Sequence, residues 1–141
     1  MKFSVEKAEI LEGWEERKRT SIRPGAKGGR GYVDPRIVPL CDALNNLDGL
    51  CTLQSCAGHP AAESDGPVYP GCLWLRLNQR MARRFEEQAH RLAAEPVIER
   101  VGKIYWEDGK ETVTIDFKGD EAGLLTESST VILKFFEKLH N

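Results

Sequence analysis

The run Thr52-Leu53-Gln54-Ser55-Cys56-Ala57-Gly58-His59 sets a thiol, an imidazole and two hydroxyls beside a glycine, at the end of a stretch with strand character. Gly58 lets the backbone turn sharply or approach a ligand, and Pro60 stops a strand from continuing. Three chemistries suit these groups. A cleft binder would orient its ligand with Ser55, His59 and the backbone near Gly58. A catalytic site would use the Cys56 thiol as nucleophile with His59 as its activating base. A zinc site would join Cys51, Cys56, His59 and Cys72 at the spacing C-x4-C-x2-H-x12-C. Three thiolates and an imidazole suit that ion, although the paired C-x2-C knuckles of common structural sites are missing. A regular strand over 50–56 puts Cys51 and Cys56 on opposite faces, so only a bulge would let one ion reach both. The plain alternative for Cys56 is a small apolar residue at a strand end.

A second chemical feature precedes this run. Arg17, Lys18, Arg19, Arg23, Lys27 and Arg30 follow one another with no acid among them, while acids are common from Glu107 to Glu127. Such an arm holds a phosphate or carboxylate even on a chain whose formal net charge is -2. Lys27 and Arg30 are the candidate anion contacts, and an ordinary solvated loop is the alternative. Pro24, Gly25, Gly28, Gly29 and Gly31 exclude regular structure from this segment. Trp74, Tyr105 and Trp106 could stack on a base, but aromatic residues in strands also serve as cross-strand packing.

The elements that must position these groups follow from periodicity. Ala8, Leu11, Trp14 and Glu15 predict an amphipathic helix over 4–18, ending near Thr20. Asp34-Pro35 starts a second helix, with Asp34 as N-cap and Pro35 in the first turn. Ile37, Leu40, Cys41, Leu44 and Leu47 form its apolar stripe, so Cys41 belongs to the core. Strands are predicted over 50–56 and 73–77, and Asn78 caps a third helix with Met81, Phe85, Gln88, Ala89 and Leu92 facing inward. Two more strands, 97–106 and 112–117, flank a tight Asp108-Gly109 turn. A last helix over 121–139 buries Leu125, Ile132, Phe135, Phe136 and Leu139.

This order, helix, helix, strand, strand, helix, strand, strand, helix, predicts a single α+β domain over 1–141. Its four-stranded sheet is at least partly antiparallel, and the two strand-strand-helix units resemble a loose duplication. The loops 21–32 and 58–71 would flank one cleft. The chain has 141 residues, 40% hydrophobic and 30% charged, enough to bury a core without disulfides and with no apolar run that spans a bilayer. Its charged first residues lack the apolar stretch of a signal peptide, which predicts a cytoplasmic protein. The four cysteines are then thiols or metal ligands.

The elements Lys27-Gly28, Gly31-Tyr32-Val33-Asp34, Ile37, Leu40, Leu44-Asn45, Thr52, Ser55-Cys56 and Gly58 together resemble the opening third of the tRNA wybutosine-synthesis N-methyltransferase family. In that family a Lys-Gly-x-Val-Asp element leads into a helix ending in Asn, then into a strand with the signature Thr-x-Ser-Ser-Cys-Ser-Gly-Arg. The resemblance spans residues 20–59. It implies an α/β or α+β fold, S-adenosylmethionine as methyl donor, and a tricyclic guanine of phenylalanine tRNA as substrate. It also marks Lys27, Asp34, Asn45, Thr52, Ser55 and Gly58 as ligand-site positions, to which the basic loop adds Arg30. Gln54, Ala57 and His59 stand where the signature has serine, serine and arginine, and an imidazole holds an anion differently from a permanent cation. No counterpart of the family's later His-Val-x-Cys-Arg-like element follows residue 95. No Gly-x-Gly donor loop of the Rossmann kind follows a strand, so only the resemblance implies the donor.

Overall fold

Strict alternation dictates the centre of the molecule. In β2 (Gly71–Leu77) and β4 (Glu111–Phe117), Leu73, Leu75, Leu77, Val113, Ile115 and Phe117 are buried on one face. The computed structural model describes residues 2–22, 33–58, 70–105 and 111–141. These residues form α1 (Phe3–Ile22), α2 (Val38–Asn45), β1 (Leu50–Cys56), β2, α3 (Gln79–Ala93), β3 (Ile98–Tyr105), β4 and α4 (Leu125–His140). The observed order is the predicted one, and the class is α+β. The hairpin turn predicted at Asp108-Gly109 lies outside the described residues. None of the described helices is long and apolar enough to cross a membrane.

The sheet has four strands in the order β1-β2-β4-β3, and every neighbouring pair is antiparallel. Each hairpin thus places its second strand at the centre and sends it into a helix, which gives the two halves an approximate symmetry. Leu50, Leu73, Leu75, Val113, Ile115 and Phe117 join Phe85, Ile132 and Phe136 in one apolar core. Phe85 and Phe136 lie stacked with centroids 5.9 Å apart, and Phe135 meets both edge-on, closing the seam between α3 and α4. The last helix begins at Leu125 rather than 121, because Gly123 takes a left-handed φ of 69° after the short 3-10 turn Asp120–Ala122.

Polar links attach α1 to the rest. Lys7 Nζ donates to the Leu47 carbonyl at 2.6 Å, and Trp14 Nε1 donates to Asp42 Oδ1 at 2.9 Å. Near the end of α1 the buried Ser21 Oγ accepts from the Val33 N–H at 2.8 Å. That bond brings together the two ends of the basic segment predicted as a loop, whose residues 23–32 lie outside the described ones.

Candidate functional site

Strand β1 carries the sequence signature, and its register sorts the signature residues. Thr52 pairs with Leu75 and Gln54 with Trp74, so Leu53 is an extra residue and the strand bulges there. Directly opposed residues of an antiparallel pair share a face. Leu50, Thr52 and Ser55 therefore lie on the core face, while Cys51, Gln54 and Cys56 lie on the other with Arg76, Trp74 and Cys72.

On the core face the polar groups are used on one another. Asn45, the last residue of α2, donates from Nδ2 to Thr52 Oγ1 at 3.1 Å and accepts the Thr52 N–H at 2.8 Å. Both residues are buried. The Asn45 side chain thus satisfies a buried N–H of the edge strand next to the bulge, and it fixes how α2 leads into β1. The fully buried Cys41 thiol hydrogen-bonds with Ser55 and Thr52, yet burial dominates and pushes its pKa up to about 12.

On the other face the thiols divide into two places. Cys51 is buried beside Lys7, Glu6 and Arg76, and burial raises its pKa to about 11. Cys56 stands opposite Cys72, four positions further along β2, roughly 13 Å away at 3.3 Å per residue. The bulge does bring Cys51 to the face of Cys56, as the zinc arrangement requires. The intervening Gln54–Trp74 pair keeps it too distant to share an ion with Cys56 and Cys72, so the four-ligand set is corrected to a pair. No group of three or more His, Cys, Asp or Glu among the described residues could hold a metal ion. His59 lies outside those residues.

The end of β1 is clamped from three sides. Arg36, in the 3-10 turn Pro35–Ile37, donates from Nη2 to the Gly58 carbonyl at 3.2 Å. Its guanidinium also binds the Asp34 carboxylate, with Nε to Oδ1 at 3.0 Å and Nη2 to Oδ2 at 2.6 Å, and it pairs with Asp120 through Nη1. Asp34 additionally caps the turn by accepting the Arg36 N–H at 3.0 Å. From the segment after β4, the Asp120 N–H donates to the Ala57 carbonyl at 2.8 Å, and Glu121 accepts the Gly119 N–H at 3.0 Å. Gly58 has φ +94°, and a Cβ there would overlap Glu121 Oε2. The left-handed backbone favours glycine here, and any side chain would also have to displace the Glu121 carboxylate. The Gly58 N–H donates to Cys56 Sγ at 3.4 Å, which folds the turn back onto the thiol.

Sequence reasoning missed Arg36, Asp120 and Glu121. Asp-Pro-Arg was a readable signal, since an N-cap aspartate two residues before an arginine can hold both its N–H and its side chain. Asp120 comes from 84 residues away and carries no local mark. The predicted site residues thus fall into three sets: Asn45, Thr52 and Ser55 on the core face, Asp34 and Gly58 in the clamp, and Cys56 beside Cys72. Lys27, Arg30 and His59 lie outside the described residues. Within the clamp, Arg36 is already paired with two acids, Asp34 and Asp120.

No protein-family profile and no curated protein matches this chain. Among solved structures it is similar to the PH1069 protein from Pyrococcus horikoshii, at 15% identity and a TM-score of 0.57, over 98% of this chain and 90% of that one. This likeness concerns the fold.

Proposed function

We propose that this protein binds an RNA or nucleotide-like ligand between the Gly-rich basic segment and the Ser55–His59 turn, in the manner of a wybutosine-methyltransferase-like, tRNA-modifying protein. The observation that carries the reading is the Arg36 clamp. Through Asp34 and Arg36, the chain that leaves the basic segment is tied directly to the Gly58 carbonyl. The Ser21–Val33 bond pins the other end of that segment to the same place. Val33 and Asp34, which follow the basic segment in sequence, are thus tied to the end of α1 and to the Gly58 turn.

Charge completes the reading. With Arg36 neutralised by Asp34 and Asp120, Lys27 and Arg30 are the side chains that meet a phosphate, while the turn supplies shape and the Cys56 thiol. S-adenosylmethionine enters here only as the donor that the family resemblance implies, since the antiparallel sheet of the described residues is not of the Rossmann kind.

The test is tRNA binding by the wild type and by Lys27→Ala/Arg30→Ala across a salt series. We expect the double variant to bind at least about 10-fold more weakly and to show a shallower salt slope, because it makes two fewer phosphate contacts. Equal affinity and equal slope would remove the basic segment from the site.

A further inference from the structure

Cys56 and Cys72 stand directly opposite each other across the β1–β2 pair. Opposed residues of an antiparallel pair have Cα atoms about 4.5–5.5 Å apart, inside the roughly 4.4–6.8 Å range that a disulfide spans. Both residues are half-buried and lie on the sheet face away from the apolar core. Burial, Asp116 and a charge on Cys56 together hold the proton on Cys72. The remaining cysteines are badly placed for this partnership. Cys41 lies fully buried under β1 on α2, and Cys51 is fully buried opposite Arg76.

We propose that Cys56 and Cys72 are a dithiol modification site that a thiol–disulfide oxidant, such as oxidised glutathione, converts to a cross-strand disulfide. The Cys56 thiolate attacks one sulfur of the oxidant, giving a mixed disulfide and releasing one glutathione thiolate. Cys72 loses its proton to solvent and attacks the Cys56 sulfur, which expels the second glutathione. Two protein thiols are oxidised, one glutathione disulfide is reduced, and the electrons balance. Cys56 takes the first step because it sits at the turn, with its sulfur held by the Gly58 N–H. Cys72, whose pKa is pushed up to about 11, is the resolving partner. The assignment rests on strand register and stands whether or not the ligand reading holds.

The test treats the whole reduced protein with oxidised glutathione, traps thiols by alkylation, and reads intact mass and mapped peptides. The expected product has lost two hydrogen masses through one Cys56–Cys72 link, with Cys41 and Cys51 alkylated only after unfolding. Closing the 57–71 segment should also raise the melting temperature by roughly 5–10 °C, reversibly with reductant. Cys72→Ser, checked for fold by circular dichroism, should stop at a stable glutathione adduct on Cys56. A lasting adduct on wild-type Cys56, a link through Cys41 or Cys51, or no oxidation at all would overturn the proposal. The wild-type map decides even if a variant fails to fold.

Discussion

The two ends of β1 use polar residues in opposite ways. At its start, Asn45 and Thr52 are buried, neutral and bonded to each other, and the Cys41 thiol is enclosed with them. At its end, charged side chains hold the turn: Arg36 grips the buried Gly58 while Asp34 and Asp120 grip Arg36. A neutral pair in a dry place fixes register, because leaving either member unsatisfied is costly. A partly exposed charged clamp fixes a shape, and its individual ion pairs add little stability. The first end is therefore a folding element, and the second is where the proposal puts the ligand.

Variants should separate the two ends by size of effect. Asn45→Ala leaves the buried Thr52 N–H without its acceptor and should cost about 3 kcal/mol in urea unfolding. A loss below about 1 kcal/mol would break the distinction from the folding side. Gly58→Ala forces a side chain onto a left-handed backbone and into Glu121, and should cost about 2 kcal/mol. Combining it with Glu121→Ala should recover the steric part alone; complete recovery would show that backbone strain is absent. Arg36→Met should cost only about 1 kcal/mol, because the guanidinium is one-third exposed. It should nevertheless weaken ligand binding more than Asn45→Ala does at a temperature where both are folded.

Alkaline pH sharpens the comparison from the other side. The Cys41 thiol has its folded pKa pushed from 9.0 up to about 12, so the native state keeps a proton that the unfolded chain gives up. Stability from this source is fully present below about pH 9 and lost as pH rises from there toward about 12. Urea midpoints should therefore fall over that window, and less steeply in Cys41→Ala. An unchanged slope in that variant would mean that the thiol enclosed at the start of β1 is not what the alkaline transition reports.

Much of this was legible in the chain. The alternation of Leu73, Leu75 and Leu77 with Cys72, Trp74 and Arg76 reads as a strand covered on one face, and Asn78 and Asp34 act as the caps that their positions suggest. Other features depend on partners far along the sequence. Nothing local marks the bulge at Leu53, which reverses the facing of Ser55 and Cys56 relative to Cys51; only the pairing with β2 reveals it. The Arg36–Asp120 contact joins segments 84 residues apart, so a charge that reads locally as a helix-surface residue becomes the centre of the clamp. The late start of α4 reflects the left-handed Gly123, a glycine whose effect depends on the turn before it.

The most direct measurement is backbone-amide NMR of the whole protein titrated with tRNA at low salt. If the clamped turn and its basic segment form the ligand site, shifts will concentrate at Ser55 to Gly58, at Val33 to Arg36 and at Gly119 to Glu121, and will fade as salt is raised. Shifts confined to the groove between α3 and α4, lined by Arg84, Arg91, Lys134 and Lys138, or no saturable shifts at all, would contradict it.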